Sequence, residues 1–513
     1  MFFNLFRKNH NALLLVTNFI SGMSIMALEI TAARLLAPYF GTSLFVWTNI
    51  IGVVLIALSF GYYYGGKYAD KNPTLKALYA PMLIAGIVFL IVPWIVKPLS
   101  TLITIRAIQF TSSSLLVFVG SFLVTLILFA FPIFLLGMIS PFVIRLYKTG
   151  SSNLGSAAGT IFAISTLGSI LGTFLPTLLL IPTVGSHITI NIFATALIVV
   201  SIIGLGASKL KFLIIPLVAL PLLSVNAAAV KPAEDVIYET ESSYQYLQVQ
   251  ENEKGIRHLV FNEGGGIQSV YNPDSYLSGY YYDYFLPLLN IPSSSAPKQV
   301  AVLGLSGGTI SREINHYFGD KVHTDGVEID KKVIEVAKKY FDLENPNLNV
   351  INQDAHIFIR NTENKYDLII VDAYANQLYI PWNLTTQEFW TDIKSKLTKN
   401  GIVTLNVNST NDDSPLLQSI ANTMAKVYPY TYVARVDAGT SWNYFILSSE
   451  GEIPLADLPS YGQGPDLLPL ANELAVSGKR FTHDPSKMIL TADRAPVEMM
   501  TDAMIFDYVK NRL

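Results

Sequence analysis

Hydrophobic and polar positions divide the chain near residue 230. Before it, apolar runs long enough to cross a bilayer recur at Ala12 to Ala33, Phe45 to Tyr64, Ala77 to Val96, Leu115 to Ile139, Gly159 to Ile181 and Ile188 to Gly206. A seventh run, Phe212 to Val225, is only 14 residues long and is interrupted by Pro216 and Pro221. The pattern predicts an α-helical membrane bundle of six or seven spans over residues 1–225. Gly61 and Gly65, and again Gly168 and Gly172, lie four apart, so each pair forms a flat strip against which another helix can pack.

After residue 225 the apolar runs shorten. Residues 226–241 read as a linker without apolar periodicity. Tyr244 to Gln250 and Ile256 to Val270, around Gly264-Gly-Gly266, read as short strands of a small β lid over 242–290. From 291 to 513 strand-like and helix-like stretches alternate: an apolar run into Gly304, helices near Lys331 to Tyr340, Thr386 to Leu397 and Pro415 to Val427, and strands at Leu348 to Ile351, Tyr366 to Val371 and Ile402 to Val407. Further strands fall near Tyr432 and Tyr444. That alternation predicts an α/β Rossmann-like domain of the methyltransferase type.

Composition agrees with the split. Of 513 residues, 51% are hydrophobic and only 14% charged, and mean hydropathy is +0.40, values that exclude a wholly soluble protein. A net charge of -3 gives no sign of nucleic-acid binding. The absence of cysteine excludes disulfides and thiolate chemistry, and no two of the seven histidines stand in His-Glu-x-x-His spacing, so no metal is expected. Lys and Arg number nine at the amino end and in the loops after spans two, four and six, against three in the other loops, which places the amino terminus in the cytoplasm. The seventh run then decides the side of the soluble half: cytoplasmic with six spans, extracytoplasmic with seven. Glu29 and Arg34 lie in or beside the first span, five residues apart, a poor spacing for an intrahelical pair, so each is expected to find its partner elsewhere.

The chemistry centres on Gln299-Val-Ala-Val-Leu-Gly-Leu-Ser-Gly-Gly-Thr-Ile-Ser-Arg-Glu313, followed by a second strand ending on Glu328. Gly304, Gly307 and Gly308 let the backbone turn tightly and approach a ligand, and Glu328 can accept from two ribose hydroxyls. Asp354 and Asp372 follow the third and fourth strands. Acids at the carboxyl ends of successive parallel strands converge on the crevice where open α/β sheets bind ligands. The competing reading, that each caps a helix or turn, weakens when all fall in register.

The order of glycine loop, Val-Glu-Ile-Asp (Val327 to Asp330), Gln353-Asp-Ala355 and Tyr366-Asp-Leu-Ile-Ile-Val-Asp372 resembles the spermidine and spermine synthases, the polyamine aminopropyltransferases. Ser243-Tyr-Gln-Tyr246, Gln268 and Asp493-Arg-Ala-Pro-Val-Glu498 extend the resemblance over about residues 238 to 508. Ala27 to Pro38 and Leu135 to Pro141 are similar to the membrane region of proteins fused to such domains. The resemblance implies that Gln245, Gln268, Gly304, Ser306, Gly307, Gly308, Glu328, Asp354 and Ala355 bind a sulfonium nucleoside, S-adenosylmethionine or its decarboxylated form. It also implies that Asp372 orients or deprotonates an attacking amine, that Tyr282 and Tyr374 lie on the substrate side, and that the protein is a dimer in the cell membrane.

Three departures bear on specificity. Ala375 stands at the family's second aspartate, no histidine lies between His258 and His316, where the family has Tyr-His-Glu, and Gly307 replaces the acid that disfavours a carboxylate on the nucleoside tail. An enzyme using intact S-adenosylmethionine for methyl or aminocarboxypropyl transfer, with a small amine or a membrane-delivered acceptor, therefore stays open. So does a nucleoside-binding sensor or transporter module without turnover.

Overall fold

A computed structural model describes residues 10–41, 44–107, 114–147, 154–206, 235–262, 266–292, 297–375, 378–436 and 442–510. The chain forms two compact units, one of residues 1–111, 115–232 and 240–246, the other of 112–114, 233–239 and 247–513.

Among the described residues the first unit holds five helical segments long and apolar enough to cross a membrane: α1 (His10–Phe40), α2 (Leu44–Lys71), α3 (Leu75–Leu102), α4 (Phe118–Leu146) and α5 (Gly155–Leu205). The fifth and sixth expected spans both fall in α5. Its 51 residues exceed a single crossing, since about 20 residues span the hydrocarbon core, and the helix is broken at Gly185, which has φ 79° and ψ 168°. The seventh expected run, 212–225, lies outside the described residues.

The small residues set how closely these helices approach. A Cβ on Gly168 or Gly172 would meet backbone atoms of Phe19 and Met23 on α1, and one on Gly61 or Gly65 would meet Phe134, Gly137 and Met138 on α4. Some polar side chains inside the bundle bond across helices, where no water is at hand to serve them. Asn18 donates to the Ile161 carbonyl at 2.7 Å and accepts from the Ser140 hydroxyl at 2.8 Å. The Thr17 and Tyr79 hydroxyls bond at 2.9 Å. Glu29 is half-buried, and Arg34 donates to the Ser243 carbonyl, so the arginine finds a partner in the 240–246 stretch. At the helix restart after Gly185, the Ser186 amide and hydroxyl donate to Glu241 at 3.2 and 2.5 Å.

The second unit carries the larger sheet and most of a smaller one, of which residues 240–241 and 246 belong to the first unit. The smaller has the order β1 (Val236–Glu241), β2 (Tyr246–Glu251), β3 (Arg257–Phe261), β4 (Ile267–Tyr271). Residues 236–241, expected as linker, thus form a strand, while 226–234 and 263–265 lie outside the described residues. A 3-10 helix, Tyr281–Asn290, follows.

The larger sheet contains β5 (Lys298–Leu303), β6 (Val322–Glu328), β7 (Leu348–Asn352), β8 (Tyr366–Val371), β9 (Leu397–Asn408), β10 (Tyr430–Val436), β11 (Asn443–Ser449) and β12 (Lys479–Phe481). Their order is β12-β10-β11-β9-β8-β5-β6-β7. The five strands β9-β8-β5-β6-β7 run parallel, and β11, β10 and β12 pair antiparallel. Between the strands lie α6 (Thr309–Phe318), α7 (Lys331–Tyr340), α8 (Ala355–Asn361), α9 (Gln387–Lys394) and α10 (Pro415–Val427), followed by α11 (Leu468–Ser477) and α12 (Val497–Lys510). Strand β8 is buried along its whole length, as a parallel strand covered on both faces must be. The chain passes from β5 to β6 on one side and returns through β8 on the other, which opens a crevice at the carboxyl ends of β5 and β8.

Candidate functional site

The glycine loop grows from the end of β5. Gly304 has φ 97°, a region open to glycine, and a Cβ there would collide with the Asp372 backbone. The Asp372 amide donates to the Leu303 carbonyl at 2.9 Å, so the missing side chain at Gly304 lets the end of β8 lie against the loop. Gly308 has φ 85° and forms the N-cap of α6. Ser306 also has positive φ, 50°, which is strained for a residue with a Cβ and is typical of a site held by its surroundings. Its hydroxyl is buried without a partner among the described residues.

Gly307 departs from expectation. Its amide donates to the Ser269 hydroxyl of β4 at 2.8 Å, and a Cβ there would lie 2.6 Å from that of Ser269. The space beside Gly307 is therefore filled by Ser269 of the lid. The Val270 amide donates to the Thr309 hydroxyl at 2.8 Å, which donates back to the Val270 carbonyl at 3.0 Å. Strand β4 is thus bonded directly to the start of α6.

Glu328 ends β6 with 8% of its surface exposed. One oxygen accepts from the Ser306 amide at 2.9 Å and the other from the Asp330 amide at 3.0 Å. Burial pushes its pKa up to about 7, and the backbone donors oppose the rise. Asp354 is the N-cap of α8, accepting from the Ile357 amide at 3.0 Å, and Ala355 opens that helix. The capping role is therefore real for Asp354, which remains partly exposed.

Asp372 follows β8 and receives three hydrogen bonds. The Tyr281 hydroxyl donates to Oδ2 at 2.9 Å and to Oδ1 at 3.2 Å, and the Asn406 side-chain amide donates to Oδ1 at 3.1 Å. Register explains Asn406: Val371 pairs with Leu405, so the next residue of each strand stands side by side. Burial raises the Asp372 pKa to about 6, and these donors restrain the rise.

The two expected substrate-side tyrosines are otherwise engaged. Tyr282 is 2% exposed and donates to the Ile267 carbonyl at 2.9 Å, so Tyr281, its neighbour, is the residue that reaches the carboxylate. The Tyr374 hydroxyl donates to the Asn406 carbonyl at 2.9 Å and accepts from the Asn408 amide at 3.1 Å, which fixes the chain after Asp372 to β9. Gln268 precedes Ser269 on β4, so it faces the opposite side of that strand from the glycine loop. Gln245 belongs to the first compact unit, in a turn where its amide donates to the Ser242 hydroxyl at 3.0 Å. Sequence reasoning missed Tyr281 and Asn406. The signal for Asn406 was present: Thr404, Asn406 and Asn408 alternate as polar residues in an otherwise apolar strand. Among the described residues no group of three or more His, Asp or Glu could hold a metal ion.

The profile of the spermine/spermidine synthase domain matches residues 285–457. A probable polyamine aminopropyl transferase of Bifidobacterium longum is 31% identical over 286 residues, 52% of this chain and 62% of that one, so the match falls short of two thirds of the relative's length. A polyamine aminopropyltransferase of Vibrio vulnificus is 30% identical over 43% of this chain and 73% of its own. Polyamine aminopropyltransferase 2 of Aquifex aeolicus is 22% identical over 84% of this chain and 87% of its own, a match that extends into the apolar half.

Proposed function

The chain belongs to the polyamine aminopropyltransferase family, a spermidine-synthase-like domain joined to an apolar helical amino-terminal region, and we propose that it is a membrane-attached transferase acting on a sulfonium nucleoside. It moves an aminopropyl or related alkyl group from S-adenosylmethionine, or its decarboxylated form, to an amine acceptor. The observation that carries this reading is Asp372, a carboxylate with a pKa of about 6 at the end of β8, held by Tyr281 and Asn406 beside the loop that Gly304 keeps open to it.

Each residue has a part in this reading. Glu328 exchanges its backbone donors for the two ribose hydroxyls, Asp354 meets the adenine amino group, and the glycine loop lies under the sulfonium tail. An ammonium has no lone pair, so Asp372 accepts its proton and aims the neutral nitrogen. The sulfonium supplies an electrophilic carbon: the nitrogen's lone pair forms the new N–C bond as the C–S bond breaks, and the sulfur leaves as a neutral thioether with the bonding pair. Tyr281 and Asn406 hold the carboxylate in line.

Gly307, in place of an acid, favours a second reading in which intact S-adenosylmethionine is the donor. In the membrane we propose six crossings with α5 divided at Gly185, an amino terminus in the cytoplasm, and the transferase domain on the same side, where sulfonium nucleosides are made. Calorimetry with S-adenosylmethionine, its decarboxylated form and methylthioadenosine, followed by product analysis with amine acceptors, tests the proposal. Binding without any alkylated product leaves a nucleoside sensor, and no binding overturns the reading.

A further inference from the structure

Helices α2 and α4 touch at one level of the bundle and leave a groove beside it. A Cβ on Gly61 would lie 2.4 Å from the Phe134 carbonyl oxygen and 2.8 Å from Gly137 Cα, so the two backbones meet there. Just before this contact α4 carries a π-helical stretch, Leu126–Ala130, a wider turn with hydrogen bonds from i to i+5 that recurs at functional sites. Leu126 and Ala130, its first and last residues, line a groove of about 550 Å³ together with Phe131 and with Val53, Phe60 and Tyr64 of α2. That volume is in the range of small-molecule sites, about 300 to 1000 Å³. The lining side chains are apolar apart from the Tyr64 hydroxyl. Phe60 and Phe131 are 54% and 55% exposed, so the groove opens outward from the bundle, where the bilayer lies.

Its length selects the occupant. From Val53 to Tyr64 the helix rises about 16 Å at about 1.5 Å per residue, roughly half of a hydrocarbon core of about 30 Å. A helix of a second copy would cross both leaflets and need a seam along the whole span, whereas a lipid acyl chain occupies one leaflet. The level of the headgroups is marked at the Tyr64 end. Tyr62, Tyr63 and Tyr68 are exposed there, as in an interfacial aromatic belt, and Lys67, three residues after Tyr64, stands on the same side of α2 one turn further on.

Charge selects the headgroup. Lipid tails are as apolar as the groove, so the groove by itself favours no particular lipid. Lys67 donates to the Tyr63 hydroxyl at 2.5 Å and lies 4.2 Å from the centre of that ring, a neutral partner that leaves the ammonium charge uncompensated. Arg145, at the end of α4, is balanced by Asp70 at 3.3 Å. The free charge at the mouth of the groove is therefore that of Lys67, and a lysine at this level attracts an anionic headgroup.

We propose that α2 and α4 form a binding site for an anionic phospholipid, with one acyl chain in the groove between Val53 and Tyr64 and the headgroup phosphate at Lys67. The π-helical stretch supplies the wall at Leu126 and Ala130, and the Gly61 contact closes the groove from behind. The site belongs to the membrane unit and stands apart from the transferase reading.

Native mass spectrometry of the full chain in detergent, with equal amounts of dioleoyl phosphatidylglycerol and dioleoyl phosphatidylcholine, tests this. The wild type should retain one lipid per chain and prefer phosphatidylglycerol by about fivefold, the scale of one lysine at an anionic surface. Lys67→Gln should still retain one lipid but lose the preference, and Lys67→Arg should restore it. Ala130→Phe, whose ring fills the groove, should lose the retained lipid. Elution volume and thermal stability check that each variant is folded. If Ala130→Phe fails that check, Phe60→Ala, which removes one wall, takes its place and should lower retention. A wild type without preference, or a preference that survives Lys67→Gln, overturns the site. So does a folded Ala130→Phe that still retains one phosphatidylglycerol. A lipid-free mass of two chains, reduced to one in Ala130→Phe, would overturn it in favour of a second copy covering the groove. The readout needs no turnover, so its failure is distinct from a failure of the transferase reading.

Discussion

The Tyr281 hydroxyl lies 2.9 Å from Oδ2 and 3.2 Å from Oδ1 of Asp372, astride the carboxylate. One donor shared by both oxygens fixes the plane of the carboxyl group, and Asn406 fixes its rotation from the other side. In the role proposed for Asp372, a carboxylate held this way needs no reorganisation when it takes a proton. Asp372→Asn keeps the shape and loses the base. Turnover should fall by about 100-fold or more with nucleoside affinity within a few fold. Full turnover in that variant would leave Asp372 as a strand terminus.

The same contact predicts a pH effect. Burial pushes the Asp372 pKa up to about 6 while the Tyr281 bond pulls it down, so the wild-type rate should rise with pH through about 6 as the carboxylate forms. Tyr281→Phe removes a donor to the charged form, and the acid limb of kcat should move to higher pH. A limb that stays in place would show that Asp372 does not govern it.

Glu328 separates ligand binding from fold stability. Its pKa lies near 7, above the ordinary 4.5, so the folded protein holds a proton that the unfolded chain loses. That contribution is complete below pH 4.5 and is lost as pH rises through 7. The ribose binding proposed for Glu328 should run the opposite way, because only the carboxylate can accept from two hydroxyls. Nucleoside affinity by calorimetry should therefore increase from pH 6 to pH 8 while thermal stability declines. Glu328→Gln should weaken binding by about 1 to 3 kcal/mol and flatten both trends. Affinity independent of pH and of the substitution would remove Glu328 from the ribose.

Two strands of the parallel sheet were legible as apolar runs ended by glycine or acid, β5 before Gly304 and β8 before Asp372: Tyr366–Val371 matches the expected strand residue for residue, and Lys331–Tyr340 matches its helix. Strand β1 was missed, since Val236–Glu241 mixes polar and apolar residues and lies half-buried at a sheet edge. The division of α5 was only half legible. Sequence separated two apolar runs, yet the helix continues through Pro182 and breaks at Gly185. In the site, the acids at strand ends could be located from spacing, but their partners could not. Whether Tyr281 or Tyr282 meets Asp372 depends on the turn of a 3-10 helix, and the filling of the space at Gly307 depends on a serine 38 residues earlier.

Two glycines of one helix should respond to alanine with opposite signs. Gly159 and Gly172 both lie in α5, and alanine in a helix interior gains about 1 kcal/mol over glycine when space allows. A Cβ on Gly159 meets nothing within 4 Å, whereas one on Gly172 runs into the Met23 backbone of α1. Gly159→Ala should leave thermal stability in detergent unchanged or raised, and Gly172→Ala should lower it by several degrees. Equal effects would mean that α1 and α5 do not depend on this contact.

The last prediction concerns the tail of the nucleoside. An acid in the glycine loop would repel a carboxylate on that tail, and Gly307 carries none, while the amino end of α6 after Gly308 favours a nearby anion by about 0.3 to 1 kcal/mol. Intact S-adenosylmethionine should therefore bind at least as tightly as its decarboxylated form. Gly307→Asp alone is a poor test, because its Cβ would lie 2.6 Å from that of Ser269, and any change could come from a displaced lid. Ser269→Gly clears that space at the cost of the bond to the Gly307 amide, so the informative comparison is Ser269→Gly with and without Gly307→Asp. Adding the aspartate should shift preference toward the decarboxylated nucleoside by about tenfold, or 1.4 kcal/mol. A wild type that already prefers the decarboxylated form tenfold would sink the charge argument. So would a double variant whose preference equals that of Ser269→Gly alone.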